Sequence, residues 1–512
     1  MTKQKEAAAH AARLQLHADA AQTWSGKARA LTLALVGLYV AARLWRLTQF
    51  NLGRDELFSL ETARLGWRAL LGAVVADVVH PPLFYLLLKL WLAIGGERLG
   101  WLKLFPALAA ILAVVPLLLL CRELRAGAFA TNVAVALVAV NGYLVAYAHE
   151  LRMYSLLLLF SLCALWLFVR FWHAPTLTRR ALLALFAAHL LLVYTQYYGW
   201  LVVGVETLFV LGWRHARART FALLVAGLAL SFAPWVWAVA HALSTRTVAL
   251  STQLSWHYRP DAAGLAAYYA LLNGPYAFAH STTLGLLGFG LLVGWACWDA
   301  HRSARAEERP APLGLYFLLA LAVLPVAFAF AISRLSAQSI WHTRYLIISA
   351  VPYLLLVAAA LARLRPRRLR WAITLAVVAW ATLSGCNEMR RTDTHVAWDV
   401  LARELSAAEA ARARPVKVYM LDDFPRYPMS FYLHAAGDDR FEFVRVSADA
   451  VLALADDHFW LVYDEGAWPP DRQSPPEIMR GRGLRVGPAF DSGPRGHRYV
   501  LVAIAREGTR QI

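Results

Sequence analysis

Charge is what this chain has least of. Only 16% of its 512 residues are Asp, Glu, Lys or Arg, against about 25% in ordinary soluble domains. That deficit excludes a soluble enzyme of usual composition, and a hydrophobic content of 59% excludes a disordered chain. Four cysteines cannot staple a fold of this length, so no disulfide framework is expected. The 30 glycines follow no three-residue period, which excludes a collagen-like fibre, and no internal repeat is present.

What is abundant is positive charge in apolar surroundings. The net charge of +18 divides unevenly: residues 387 to 512 carry 19 acids and 17 bases, leaving 14 acids and 34 bases in residues 1 to 386. A nucleic-acid binder would spread its bases over a polar face with interleaved aromatics. Here they sit in short clusters between apolar runs, as in the cytoplasmic loops of a multispan membrane protein. No nucleic-acid partner is expected.

Runs long enough to cross a bilayer fall at roughly 30–47, 104–120, 131–148, 154–170, 181–198, 199–213, 221–241, 282–298, 313–332, 345–362 and 370–386. The polar leader 1–29 and the five later basic clusters hold 21 bases and 6 acids. Placing all six in the cytoplasm puts residues 48–103 in a long external loop and residues 387–512 outside. His80 to Gly96 would reverse every later cluster if it crossed. Its short apolar part, Lys89 and two opening prolines make it a helix lying at or dipping into the outer surface, the alternative being a short true span. The first span has no small-residue cleavage site and reads as a signal anchor. VKVYML, FEFVRV, FWLVY and YVLVAIA, with the helical VAWDVLARELSAAEAARA, make 387–512 a small external α/β domain. The fold class is mainly α, a polytopic bundle of about 11 spans with that domain attached.

Removing the cytoplasmic acids leaves eight in the membrane part: Asp55, Glu56, Glu61, Asp77, Glu97, Glu150, Glu206 and Asp261. Only Glu206 falls inside a span, where pairing with a neighbouring helix is the expected use. The other seven gather at the external boundary. Asp55 and Glu56, in NLGRDELFSLETA, form a paired carboxylate that serves either as a solvated helix cap or as an acid–base couple. Glu150, in AYAHELRMYSLLLL, either pairs with Arg152 or joins that couple.

GRDELFSLETA, DVVHPPLFYLLLKLW and AHELRMYSLLLL, in this order and spacing, resemble the polytopic glycosyltransferases of the GT-C type. The similarity points to the lipid A aminoarabinose transferases, the protein O-mannosyltransferases and related polyprenyl-phosphate-sugar transferases. Weaker echoes are YTQYYGW, SFAPWVW and WHTRYLIISAVPYLLL, so the resemblance runs from about residue 30 to 386. It implies transfer of a sugar, with inversion, from a polyprenyl-phosphate carrier to an acceptor hydroxyl on the periplasmic side of a bacterial inner membrane. The acceptor would be a glycolipid, protein or polysaccharide. By resemblance, Asp55 is the general base, Glu56 orients it or the acceptor, and Glu150 is the acid of the second external loop. Arg344 and Tyr345 would meet the carrier phosphate, Arg152 would complete a carboxylate–guanidinium arrangement with Glu150 or reach that phosphate, and Tyr154 and Tyr197 would be further substrate contacts. His80 stands where the aminoarabinose transferases carry lysine and the O-mannosyltransferases histidine, and a neutral imidazole holds phosphate less strongly than an ammonium. The tyrosines also suit an interfacial aromatic belt. Neither HExxH nor clustered Cys/His is present; metal dependence varies in the family, and Asp55 with Glu150 would be the ligands for Mg or Mn. The competing class is a transporter or flippase of a lipid-linked substrate, which favours repeats and mid-membrane charges.

Overall fold

Apolar runs have one way to satisfy their backbone in lipid, which is to coil. A computed structural model describes residues 24–245, 258–274, 279–307, 312–390, 396–411 and, with short breaks, 415–506. The leader up to residue 23 and His257, a candidate substrate contact in the 255–264 loop, lie outside the described residues.

Helices occupy all eleven expected positions. Among the described residues six are long and apolar enough to cross a membrane alone: Leu99–Glu123, Tyr154–His173, His215–Ser244, Leu313–Leu335, Thr343–Arg363 and Arg367–Asn387. Ala128–Val140 and Gly142–Ala148 are long and apolar enough only together, and they meet at a 57° bend, as in a broken span or a re-entrant loop. The protein is therefore a multi-pass membrane protein. Gly26–Leu44, Arg179–Thr195, Gly199–Trp213 and Ala279–Ala306 complete the set. Thr343–Arg363 is central, since Ile347 through Ala358 are all buried, as expected of a helix apolar on every side. Leu33, Leu230, Leu291 and Leu375 point outward from the periphery, where lipid contact accounts for their exposure.

The segment 48–103 folds as three helices, Arg54–Arg64, Trp67–Asp77 and Leu83–Gly95. The last has 13 residues, about 20 Å of helix, too short for a hydrocarbon core of about 30 Å. Lys89, which interrupts its apolar run, donates to the carbonyls of Ala63 (3.2 Å) and Leu65 (2.6 Å) and so caps the end of Arg54–Arg64.

The bend at Asn141 would leave carbonyls bare. Arg43, wholly buried at the end of the first helix, donates to Val138 (2.8 Å) and Ala139 (2.7 Å), and Asn141 Oδ1 caps Leu144 N (3.1 Å). His149 Nε2 lies 3.0 Å from the Arg43 carbonyl. Helix Arg367–Arg390 crosses at the same point through Gly385, where a Cβ would stand 2.0 Å from the Val140 carbonyl oxygen.

The C-terminal sheet comprises β1 (Val416–Met420), β2 (Phe441–Arg445), β3 (His458–Asp464), β4 (Leu484–Ser492) and β5 (Tyr499–Arg506), in the order β2-β1-β3-β5-β4. β1 pairs in parallel with β2 and β3, whereas β5 is antiparallel to β3 and β4. Trp460 and Val462 of β3 pack under helix Trp398–Ala408, while Phe459, Leu461 and Tyr463 face the other side, the two-residue alternation of a sheet covered on both faces. The domain grips the residues just before Asp55: Asn51 Nδ2 donates to Asp399 Oδ1 (2.6 Å), Leu52 N to Tyr432 Oη (3.0 Å), and the Arg54 guanidinium lies 5.8 Å from the Phe424 ring centre.

Candidate functional site

Consecutive helical residues point about 100° apart, so the acid pair at the start of Arg54–Arg64 divides. Glu56 turns inward and is 5% exposed. Its Oε2 accepts from Gly53 N, and its Oε1 from Lys103 Nζ and Leu151 N, each at 2.7 Å. Three donors on two buried oxygens make Glu56 an anchor between this helix and the turn carrying Glu150.

Asp55 turns the other way, toward water, with its side chain 46% exposed, and its Oδ2 accepts from Arg344 Nη1 at 2.7 Å. Burial alone would raise its carboxyl, but the Arg152 and Arg344 guanidiniums outweigh burial and hold it below the usual range. Arg152, 4% exposed, donates to the Asp55 carbonyl (3.0 Å) and Ser59 Oγ (2.8 Å) and approaches His80 Nε2 at 3.3 Å. It forms no ion pair with Glu150, the alternative open from their spacing. The Glu150 backbone carbonyl accepts from Arg152 N at 2.7 Å, its carboxyl group has no hydrogen bond or ion pair among the described residues, and burial followed by repulsion from Glu56 pushes that carboxyl up to about 7 against Arg344 and Lys103.

His80 is 2% exposed and committed at both nitrogens. Nδ1 meets Asp77 Oδ2 at 2.6 Å and Nε2 meets Tyr345 Oη at 3.0 Å. Burial lowers its pKa below the usual value despite Asp77, which makes the ring neutral, donating from Nδ1 and accepting at Nε2. Both His80 nitrogens thus meet protein groups, Nδ1 at Asp77 and Nε2 between Tyr345 and Arg152. Val78 makes the turn before it at φ 61°, a conformation a β-branched residue adopts only at some strain.

Tyr345 is buried, and Arg344 lies over the rings of Tyr154 (5.7 Å) and Tyr345 (5.9 Å). The hydroxyls of Tyr154 and Tyr85 and the Nε of Arg152 are buried without hydrogen-bond partners, so this region holds more donors than the protein fills. Tyr197 is not brought there. An extended Gln196 breaks the chain between two helices, and the Tyr197 hydroxyl accepts from Trp235 Nε1 at 2.9 Å. It lines instead an almost wholly apolar cavity of about 860 Å³ that also touches Val79, Gln196, Leu208, Leu324 and Tyr345. A second apolar space of about 760 Å³ shares Leu208 and Leu324, so a groove runs beside helix Gly199–Trp213. Deeper in the bundle Glu206 pairs with His189 at 2.5 Å, both fully buried.

Among the described residues no group of three or more His, Cys, Asp or Glu side chains could hold a metal ion. Asp55 has one carboxylate oxygen on Arg344. Asp77, Lys103 and Ser59 are site residues that sequence reasoning missed. Asp77 had a visible signal, standing three residues before His80. Lys103 had one too, a lone lysine in an apolar run.

A helical bundle with a short helical excursion after its first helix, a bent helix pair and an appended sheet domain has its structural neighbours among GT-C glycosyltransferases. The chain is similar over almost its whole length to ArnT, the aminoarabinose transferase of Cupriavidus metallidurans. In the apo state the TM-score is 0.58 at 15% identity, covering 93% of this chain and 98% of that one. With ArnT bound to undecaprenyl phosphate it is 0.56 at 14% identity, covering 92% and 97%. No family model and no curated protein sequence matches the chain.

Proposed function

We propose that this chain is a membrane glycosyltransferase that takes a sugar from a polyprenyl-phosphate carrier and passes it, with inversion, to an acceptor hydroxyl on the periplasmic side of a bacterial inner membrane. The observation that carries the reading is the meeting of two environments. An apolar groove suited to a prenyl chain ends at Tyr345, whose neighbour Arg344 holds the carboxylate of Asp55. ArnT, which shares the fold, was seen with undecaprenyl phosphate.

In the proposed step Asp55 accepts the acceptor's hydroxyl proton as that oxygen bonds to the anomeric carbon. The bond from that carbon to the phosphate oxygen breaks, and its electron pair leaves with polyprenyl phosphate. Arg344, Arg152 and the unfilled Tyr154 hydroxyl compensate the charge that develops there. Without substrate Arg344 is occupied by Asp55. An arriving phosphate competes for the guanidinium, and a carboxylate relieved of that partner is the stronger base. No step is routed through a metal. The acceptor is a glycolipid, protein or polysaccharide hydroxyl.

The test is purified chain in liposomes with a labelled polyprenyl-phosphate sugar and cell-envelope extract as acceptor. Release of polyprenyl phosphate together with a new glycoside supports the reading. Movement of intact labelled lipid between leaflets without cleavage would establish the transporter class instead.

A further inference from the structure

Gln196 lies in the break between Arg179–Thr195 and Gly199–Trp213, 1% exposed and in extended conformation. Its Oε1 accepts from Tyr197 N at 2.6 Å. Because only the amide oxygen can accept from an N–H, this contact fixes which way the amide points. The Nε2 donors are left buried without any partner, on the wall of the 860 Å³ apolar cavity. Unpartnered buried donors are rare because the lost hydration is not repaid. Its neighbour Tyr198 packs 5.4 Å from Tyr345, which also lines the cavity and follows Arg344 in the chain.

We infer that Gln196 is a substrate-binding residue that donates to an oxygen of the carrier's phosphate group, the ester oxygen joining phosphate to prenyl chain being the one nearest the hydrocarbon. The inference rests on the proposed polyprenyl-phosphate specificity and adds a residue that reads where the lipid ends and the phosphate begins. An all-apolar wall would accept a prenyl chain at any depth. The Gln196 amide, at the cavity wall, sets its register, so that the sugar carbon comes to Asp55.

The test compares undecaprenyl phosphate with phosphate-free undecaprenol on the full chain in detergent micelles. Gln196→Leu is expected to weaken undecaprenyl phosphate about tenfold or more, the usual effect of losing a hydrogen bond to a charged group, and to leave undecaprenol affinity within twofold. Gln196→Glu, which keeps the acceptor for Tyr197 N, is expected to show the same selective loss and serves if the leucine variant does not fold. Equal weakening of both lipids would mean a purely structural role, and unchanged phosphate-lipid affinity would remove the contact; either overturns the inference. Failure of the wild-type chain to bind undecaprenyl phosphate would instead overturn the carrier assignment.

Discussion

Replacing Lys103 by methionine removes one partner of a buried ion pair and nothing else of comparable charge. Lys103 and Glu56 side chains are 3% and 7% exposed, and their nitrogen and oxygen are 2.7 Å apart. With the ammonium gone, Glu56 Oε1 retains only Leu151 N, and a buried carboxylate loses its counter-charge. Breaking such a pair from one side costs about 3–5 kcal/mol, most of it the penalty on the charge left behind. Glu56→Gln in the same background removes that penalty, because a neutral amide needs hydrogen bonds and no counter-charge. The double variant is therefore expected to recover about 2 kcal/mol of what the lysine variant loses. Unfolding of the full chain in detergent, followed by tryptophan fluorescence across the four-member cycle, measures this. Leu151 lies between Glu150 and Arg152, so Lys103→Met should also slow turnover. Strictly additive single and double effects would refute the anchor assignment.

Three further expectations follow from the same geometry. Glu150, raised to about 7, is ionised only above that pH, so the turnover profile of the wild type should carry a limb near 7 that Glu150→Gln removes. A carboxyl raised on folding binds its proton more tightly in the native state, so its contribution is complete below the ordinary value of 4.5 and lost as pH rises through about 7; wild type should lose stability relative to Glu150→Gln over that window. Arg43→Met should destabilise the chain by about 2 kcal/mol or more in chemical unfolding, because it strands the Val138 and Ala139 carbonyls at the bend. Gly385→Ala should cost about 1–3 kcal/mol in the same assay, since its methyl group meets the Val140 carbonyl at 2.0 Å and a helix must move.

Much of the fold was legible because lipid allows a long apolar run little besides a helix, and each of the eleven runs falls on helix, two of them on a pair of helices. The bend at Asn141 was not legible: AVALVAVNGYLVAYA carries no proline, and the break is held open by Arg43, nearly 100 residues earlier in the chain. Starting the second span at residue 104 excluded Lys103, whereas the helix begins at Leu99 and keeps the lysine buried with Glu56. Strand β4 escaped notice because LRVGPAFDS has Gly-Pro at its centre; in the sheet those residues sit at an irregularity of an edge strand, where a missing N–H is tolerated. Within the candidate site, Asp55, Glu56 and Glu150 stood out through the scarcity of acids, Arg152 through its spacing from Glu150 and Arg344 through the family resemblance. Their division of labour did not, since it depends on which face of a helix each carboxylate takes. Adjacency in sequence made Asp55 and Glu56 look like one unit; helical geometry gave them opposite surroundings.

The most direct test of the account is turnover of Asp55→Asn with a polyprenyl-phosphate sugar as donor, measured beside undecaprenyl phosphate affinity. The variant keeps size and loses the base, so transfer should fall by about 10²–10⁴-fold, while the carrier binds as well as to wild type or better, because Arg344 no longer has a carboxylate to hold. Transfer undiminished by the substitution would contradict the assignment of Asp55 and, with it, the mechanism built around the Asp55–Arg344 pair.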